Sequence, residues 1–138
     1  MKDIYHVSPA EFLENAKIPT RVMETEAAMM EEIAQIMVDT IIKNGDDKTV
    51  IICPVGPIGQ YPIFAEKVNS MRLSLKNCWF INMDEYLDDE DCVIDYDNPL
   101  NFHAIMDRLL YSKLTPTLLC PKARDFSPSL RKRQKLMP

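Results

Sequence analysis

Two short apolar runs, Thr49-Val50-Ile51-Ile52-Cys53 and a second from about Asn77 to Met83, constrain this chain more than any other feature. Each is too short for a helix and nearly continuous in its apolar character, the pattern of a strand buried on both faces of a parallel sheet. Between them Tyr61, Phe64, Ala65 and Val68 recur at helical spacing, with Pro62 tolerable only in a first turn. Strand, helix, strand implies a right-handed parallel crossover. Ligands of such sheets bind beyond the carboxyl ends of the strands. Here the first run ends in Pro54-Val55-Gly56-Pro57-Ile58-Gly59, and the second in Asp84-Glu85-Tyr86. A backbone-lined turn and a pair of acids therefore face one crevice. The fold class is α/β.

The remaining chain is less informative. Residues 1–19 read as an N-terminal arm of polar turns with one apolar patch. From about Thr20 to Asn44 a helix is predicted, with Met30, Ile33, Met37 and Ile41 on one face and Gly45 as its stop. Its Met-rich face (Met23, Met29, Met30, Met37) reads as core filler. A further helix is predicted with Asn98 as cap, Pro99 in its first turn, and Phe102, Ile105, Met106, Leu109 and Leu110 on its apolar face. Residues 114–138 carry four prolines and no periodic element.

At 138 residues, 46% of them hydrophobic and 27% charged, the chain has the composition of one soluble domain. No run approaches the roughly 20 apolar residues of a membrane span, and Met1-Lys2-Asp3-Ile4 lacks the form of a signal peptide. A cytoplasmic protein without membrane contact is expected. The four cysteines (Cys53, Cys78, Cys92, Cys120) form no CxxC pair, and two fall inside the strands as reduced core residues. The net charge of −5 is uneven: residues 122–138 hold six basic residues against one acid, leaving −10 on residues 1–121. An acidic body argues against nucleic acid as partner.

Asp84 and Glu85 are the first candidate site. Neighbours at a strand end point in different directions, so one of the two faces the crevice. A carboxylate there can serve as a general base. The acids that follow, Asp88 to Asp97, also suit a solvated acidic loop, the commoner origin of such a run. No glycine lies between Asp84 and Pro99, as a Ca²⁺ loop would need, so no metal site is read. The Pro54–Gly59 turn is the second candidate: N–H groups opening onto a helix can receive an anion, although a plain strand-to-helix turn is the commoner account of such a stretch. It is neither a Walker loop nor a dinucleotide fingerprint. Of the two histidines, His6 and His103, neither sits in a nucleophile–base pattern, and His103 is expected to be partly exposed and structural.

From about residue 20 to residue 121 the chain resembles the N-terminal half of the glucosamine-6-phosphate deaminase/isomerase family, which includes 6-phosphogluconolactonases. The resemblance rests on Asn82-Met83-Asp84-Glu85-Tyr86, then Asn98-Pro99-Leu100-Asn101-Phe102-His103 and Met106. In the deaminases these stretches read Asn-Met-Asp-Glu-Tyr and His-Pro-x-Ser-Tyr-x-x-x-Met. The resemblance implies a Rossmann-like parallel sheet flanked by helices, and no cofactor. It implies that Asp84 takes the C2 proton in aldose–ketose isomerisation of an amino-sugar phosphate, with ammonia released from an enediol-type intermediate. Glu85 would be a supporting, substrate-binding acid, and Gly56 would let the substrate approach the backbone.

Two departures qualify it. The family's phosphate turn resembles Pro-Thr-Gly-Ser/Gly-Thr-Pro; here Val55, Pro57 and Ile58 replace the hydroxyls, and Pro57 has no N–H. Each lost hydrogen bond to a charged group forfeits about 1.5–3 kcal/mol. The family's Asp-Gly-His and Asn-Glu-Pro motifs have no counterpart in this sequence. Residues 1–121 are therefore expected to form an incomplete Rossmann-like sugar-phosphate isomerase domain. Residues 122–138 are expected to be a basic, Pro-containing tail of the kind a truncation or frameshift produces. The expected function is that of a family member or fragment, inactive as this chain alone. The alternative is a non-catalytic sugar-phosphate-binding or assembly module. A sugar phosphate and a second copy of the chain are the expected partners.

Overall fold

The computed structural model describes residues 6–119. The basic segment 122–138, together with Cys120 and the end of the expected 1–121 domain, lies outside the described residues.

The two apolar runs form strands β1 (Thr49–Cys53) and β2 (Cys78–Asn82), joined by helix α3 (Gln60–Met71); helices α1 (Pro9–Asn15) and α2 (Glu26–Asn44) precede them. They pair in parallel, with Thr49 opposite Cys78 and Cys53 opposite Asn82. The expected crossover is present. Side chains alternate across the ribbon. Thr49, Ile51 and Cys53 turn inward with Cys78, Phe80 and Asn82, whereas Val50, Ile52, Trp79 and Ile81 are exposed. Burial on both sheet faces, expected from the unbroken apolar runs, is therefore corrected: the described helices cover one face. The runs carry no polar alternation because composition does not record which face a neighbouring element will cover.

Helix α2 (Glu26–Asn44) supplies much of that cover through Met30, Ala34, Met37, Val38 and Ile41. It begins later than the sequence predicts, because Thr25 Oγ1 accepts the Ala28 N–H at 3.1 Å. Gly45 ends it in a positive-φ conformation (φ 57°), where a Cβ would be strained. Met30 and Met37 fill the core as expected, but Met29 faces solvent. Phe64 and Val68 of α3, the inward side of Phe80 and the rings of Phe64, Phe80 and Tyr111 complete the cluster, with edge-to-face pairs at 6.0 and 6.4 Å.

Two further elements differ from expectation. The N-terminal arm contains a helix, α1 (Pro9–Asn15), opened by Ser8 as cap and Pro9 at the first position. None of its residues is buried. Helix α4 (Phe102–Leu109) starts at Asn101, not at Asn98. Asn98 instead closes a turn, its Oδ1 accepting the Leu100 N–H at 2.9 Å. Asn101 is buried, accepts the Ala104 N–H at 2.7 Å and donates to the Ile94 carbonyl at 2.8 Å. Two local partners decide the cap in its favour. After α4, short 3₁₀ turns at Tyr111–Lys113 and Pro116–Leu118 lead to Leu119, which bridges Leu75 in parallel.

Candidate functional site

Because β1 and β2 are parallel and in step, the Pro54–Gly59 turn and the Asp84 loop leave the same edge of the sheet. The ladder extends one step beyond the strands, with the Met83 N–H donating to the Cys53 carbonyl at 3.0 Å. Asp84 follows directly. It is exposed, and it makes no hydrogen bond or ion pair among the described residues. A free carboxylate at a strand end can accept a proton from whatever enters beside it.

Glu85 is placed differently. Its Oε1 accepts the N–H of Phe102 at 2.8 Å and of Tyr86 at 3.0 Å, and its Oε2 accepts the N–H of His103 at 2.7 Å. Phe102 and His103 open α4, where N–H groups have no intrahelical acceptor. The helix dipole adds to the attraction. Tyr86 packs edge-to-face on Phe102, their centroids 5.0 Å apart. The carboxylate expected to support substrate is thus occupied with the helix end. Sequence reasoning missed this because the partners lie 17 and 18 residues away.

The turn is braced from behind by the first two residues of α3. Tyr61 Oη donates to the Pro54 carbonyl at 2.7 Å, and Gln60 Nε2 to the Pro57 carbonyl at 2.7 Å. Both side chains are buried, and Gln60 Oε1 has no hydrogen-bond partner among the described residues. Burial beside Cys53 pushes the Tyr61 hydroxyl well above the usual tyrosine range. The sequence signal for both was available: an amide and a phenol at the start of a helix directly after a turn. Gly56 is exposed, and a Cβ there would meet nothing. Gly59 is the constrained glycine, since its Cβ would lie 2.9 Å from Met30 Cγ. No hydroxyl or cationic side chain belongs to the turn itself.

Asn82, the last residue of β2, is held by Tyr111 Oη at 2.6 Å. Burial raises that hydroxyl too. It likewise pushes the Cys53 and Cys78 thiols up to about 11, so both behave as the inert core residues expected. The acidic loop is organised by its own groups. Asp88 Oδ1 accepts the N–H of Glu90 at 3.1 Å and of Cys92 at 2.8 Å, and Leu87 bridges Val93. Among the described residues no three His, Cys, Asp or Glu side chains converge to hold an ion. His103 is partly exposed, with its ring against Tyr96 at 6.1 Å.

No protein-family model and no curated protein matches the chain. A solved structure similar to it is that of a monomeric glucosamine-6-phosphate deaminase of the NagB superfamily. The TM-score is 0.55 and the identity 24%, over 70% of this chain and 39% of that one. The fold is NagB-like. This likeness bears on architecture: an α/β fold with a parallel, Rossmann-like sheet. The described residues hold two strands of that fold, and the match spans 39% of the solved deaminase chain.

Proposed function

We propose that the crevice at the carboxyl edge of the sheet takes an amino-sugar phosphate, with Asp84 as the proton-abstracting base. The observation that carries this reading is the contrast between two adjacent carboxylates: Glu85 is consumed by α4, and Asp84 is left open beside the turn. In the reaction class that the family resemblance implies, Asp84 removes the C2 proton of the open-chain sugar. The resulting enediol-type intermediate is reprotonated at C1, leaving an imine at C2. Addition of water to that imine releases ammonia and the ketose. Gly56, exposed and without neighbours, leaves room for the substrate against the backbone.

General base catalysis contributes only about 10²–10⁴-fold. Ring opening and neutralisation of the phosphate need further groups, and the turn offers neither hydroxyl nor cation. Binding without turnover is therefore the expected behaviour of these 138 residues, as in a sugar-phosphate-binding module. The test pairs a titration with glucosamine 6-phosphate with a coupled assay for fructose 6-phosphate and ammonia. Binding that perturbs Asp84, with no product formed, supports the reading. No binding by this or any related sugar phosphate sinks it. Turnover that vanishes in Asp84→Asn would retain Asp84 as the base and refute the expectation of silence.

A further inference from the structure

Asp84 is the residue with a chemical task in the proposed function, yet its side chain makes no hydrogen bond or ion pair among the described residues that would fix where it stands. The last ladder hydrogen bond before it is made by Met83, and the next residue tied to the rest of the molecule is Glu85. We propose that Glu85 is a positioning residue, a latch through which the first turn of α4 fixes the peptide that carries Asp84. The inference rests on the reading of Asp84 as the base and deepens it.

The chemistry of the latch requires this side chain. Two N–H groups, those of Phe102 and His103, converge on it at 2.8 and 2.7 Å, each taken by a different oxygen. A carboxylate accepts on both oxygens, whereas an amide of the same length has one acceptor and turns an NH₂ toward a donor. Aspartate has the acceptors but is one methylene shorter. Asn101 cannot substitute, because its oxygen already serves Ala104. The contact of Tyr86 with Phe102 brings the following residue onto the same helix turn. Asp84 is thus suspended between two anchors, the sheet at Met83 and the helix at Glu85. A base must reach its proton within hydrogen-bond distance, and misplacement by about 1 Å can cost about 10²-fold in rate.

The test compares the unmodified chain with Glu85→Gln, Glu85→Ala and Asn101→Ala by ¹⁵N relaxation and amide hydrogen exchange. Exchange is expected to rise about tenfold or more at both Phe102 and His103 in Glu85→Ala, and at one of the two at least in Glu85→Gln, as loss of a charge-assisted hydrogen bond implies. The order parameter of the Asp84 N–H is expected to fall below about 0.6. Asn101→Ala loses a cap on the same helix but makes no bond to Asp84 or Glu85, so Asp84 should stay ordered there. That contrast separates positioning from mere helix capping. Asp84 as rigid in Glu85→Ala as in the unmodified chain, or slow exchange retained at both amides in Glu85→Gln, overturns the proposal. A parallel titration with glucosamine 6-phosphate reads the parent hypothesis on its own. Shifts at Asp84 that weaken in the Glu85 variants support both ideas, and no shift in the unmodified chain defeats the sugar-phosphate reading while the relaxation data still decide the latch.

Discussion

Two glycines of one turn show how far single residues can be read without coordinates. Gly56 stands where a ligand-lining glycine would be expected, and the structure leaves it open; Gly59 is the one where an added Cβ would collide with a neighbour, Met30 of α2. Gly56→Ala should therefore change the midpoint of thermal unfolding very little, the usual result at an open surface site. Gly59→Ala should cost about 1–3 kcal/mol, as overpacking does, and in a double-mutant cycle with the buried Met30→Ala the two costs should sum to less than additive. Equal stability of the two single variants in urea melts would defeat the assignment. The asymmetry is invisible in the sequence because Met30 lies 29 positions upstream. A second prediction concerns the buried thiols. Cys53 and Cys78 have pKa values of about 11 in the fold against a reference of 9.0. The folded chain therefore holds protons that the unfolded chain releases. Their contribution is fully present below pH 9 and is lost as pH rises from 9 to 11. Unfolding midpoints should fall across that window, and Cys53→Ala/Cys78→Ala should flatten the slope. An unchanged slope would remove the thiols from the account.

Elements were legible where local sequence decides them. β1 occupies Thr49–Cys53 as its apolar run predicts, and α3 accepts Pro62 in its first turn as the ring requires. Both strand ends of the candidate site follow from that pattern, so Asp84 and the turn could be brought to one edge without coordinates. The start of α4 could not be read, because Asn98 and Asn101 are equally good caps by type. The choice belongs to the Ile94 carbonyl, which Asn101 reaches and which periodicity does not register. Helix α1 was a different failure: Ser8-Pro9 is an ordinary start signal, but a seven-residue helix with no buried residue has no apolar stripe to detect. At this scale Asn101→Ala should destabilise by about 1–2 kcal/mol, the upper range for a lost cap, since it also orphans a carbonyl. Asn98→Ala removes only a turn bond and should cost about 0.5 kcal/mol. Thermal melts giving the reverse order would return the cap to Asn98.

For the whole molecule, the decisive quantity is the sheet face that the described helices leave open. Val50 (47% exposed), Ile52 (58%), Trp79 (41%) and Ile81 (51%) sit on two adjacent strands, with Lys48 Nζ 4.8 Å above the Trp79 ring as partial cover. Contiguous apolar surface on adjoining strands, beside unpaired strand edges, is the kind of surface that another chain covers. The structurally similar deaminase is described as monomeric, and the expectation of self-association rests on this face alone. The chain is expected to associate with itself, or to melt at low temperature when dilution prevents that. Ile52 and Ile81 are register partners across the two strands. Replacing them together, Ile52→Lys with Ile81→Glu, gives the face a cross-strand ion pair in place of two exposed aliphatic side chains. Both point away from the core, so the variant should fold. Light scattering should then find the unmodified chain growing with concentration and the double variant monomeric. A monomeric unmodified chain with a cooperative melt would mean that this face needs no cover, and the apolar runs would then owe their composition to strand propensity alone.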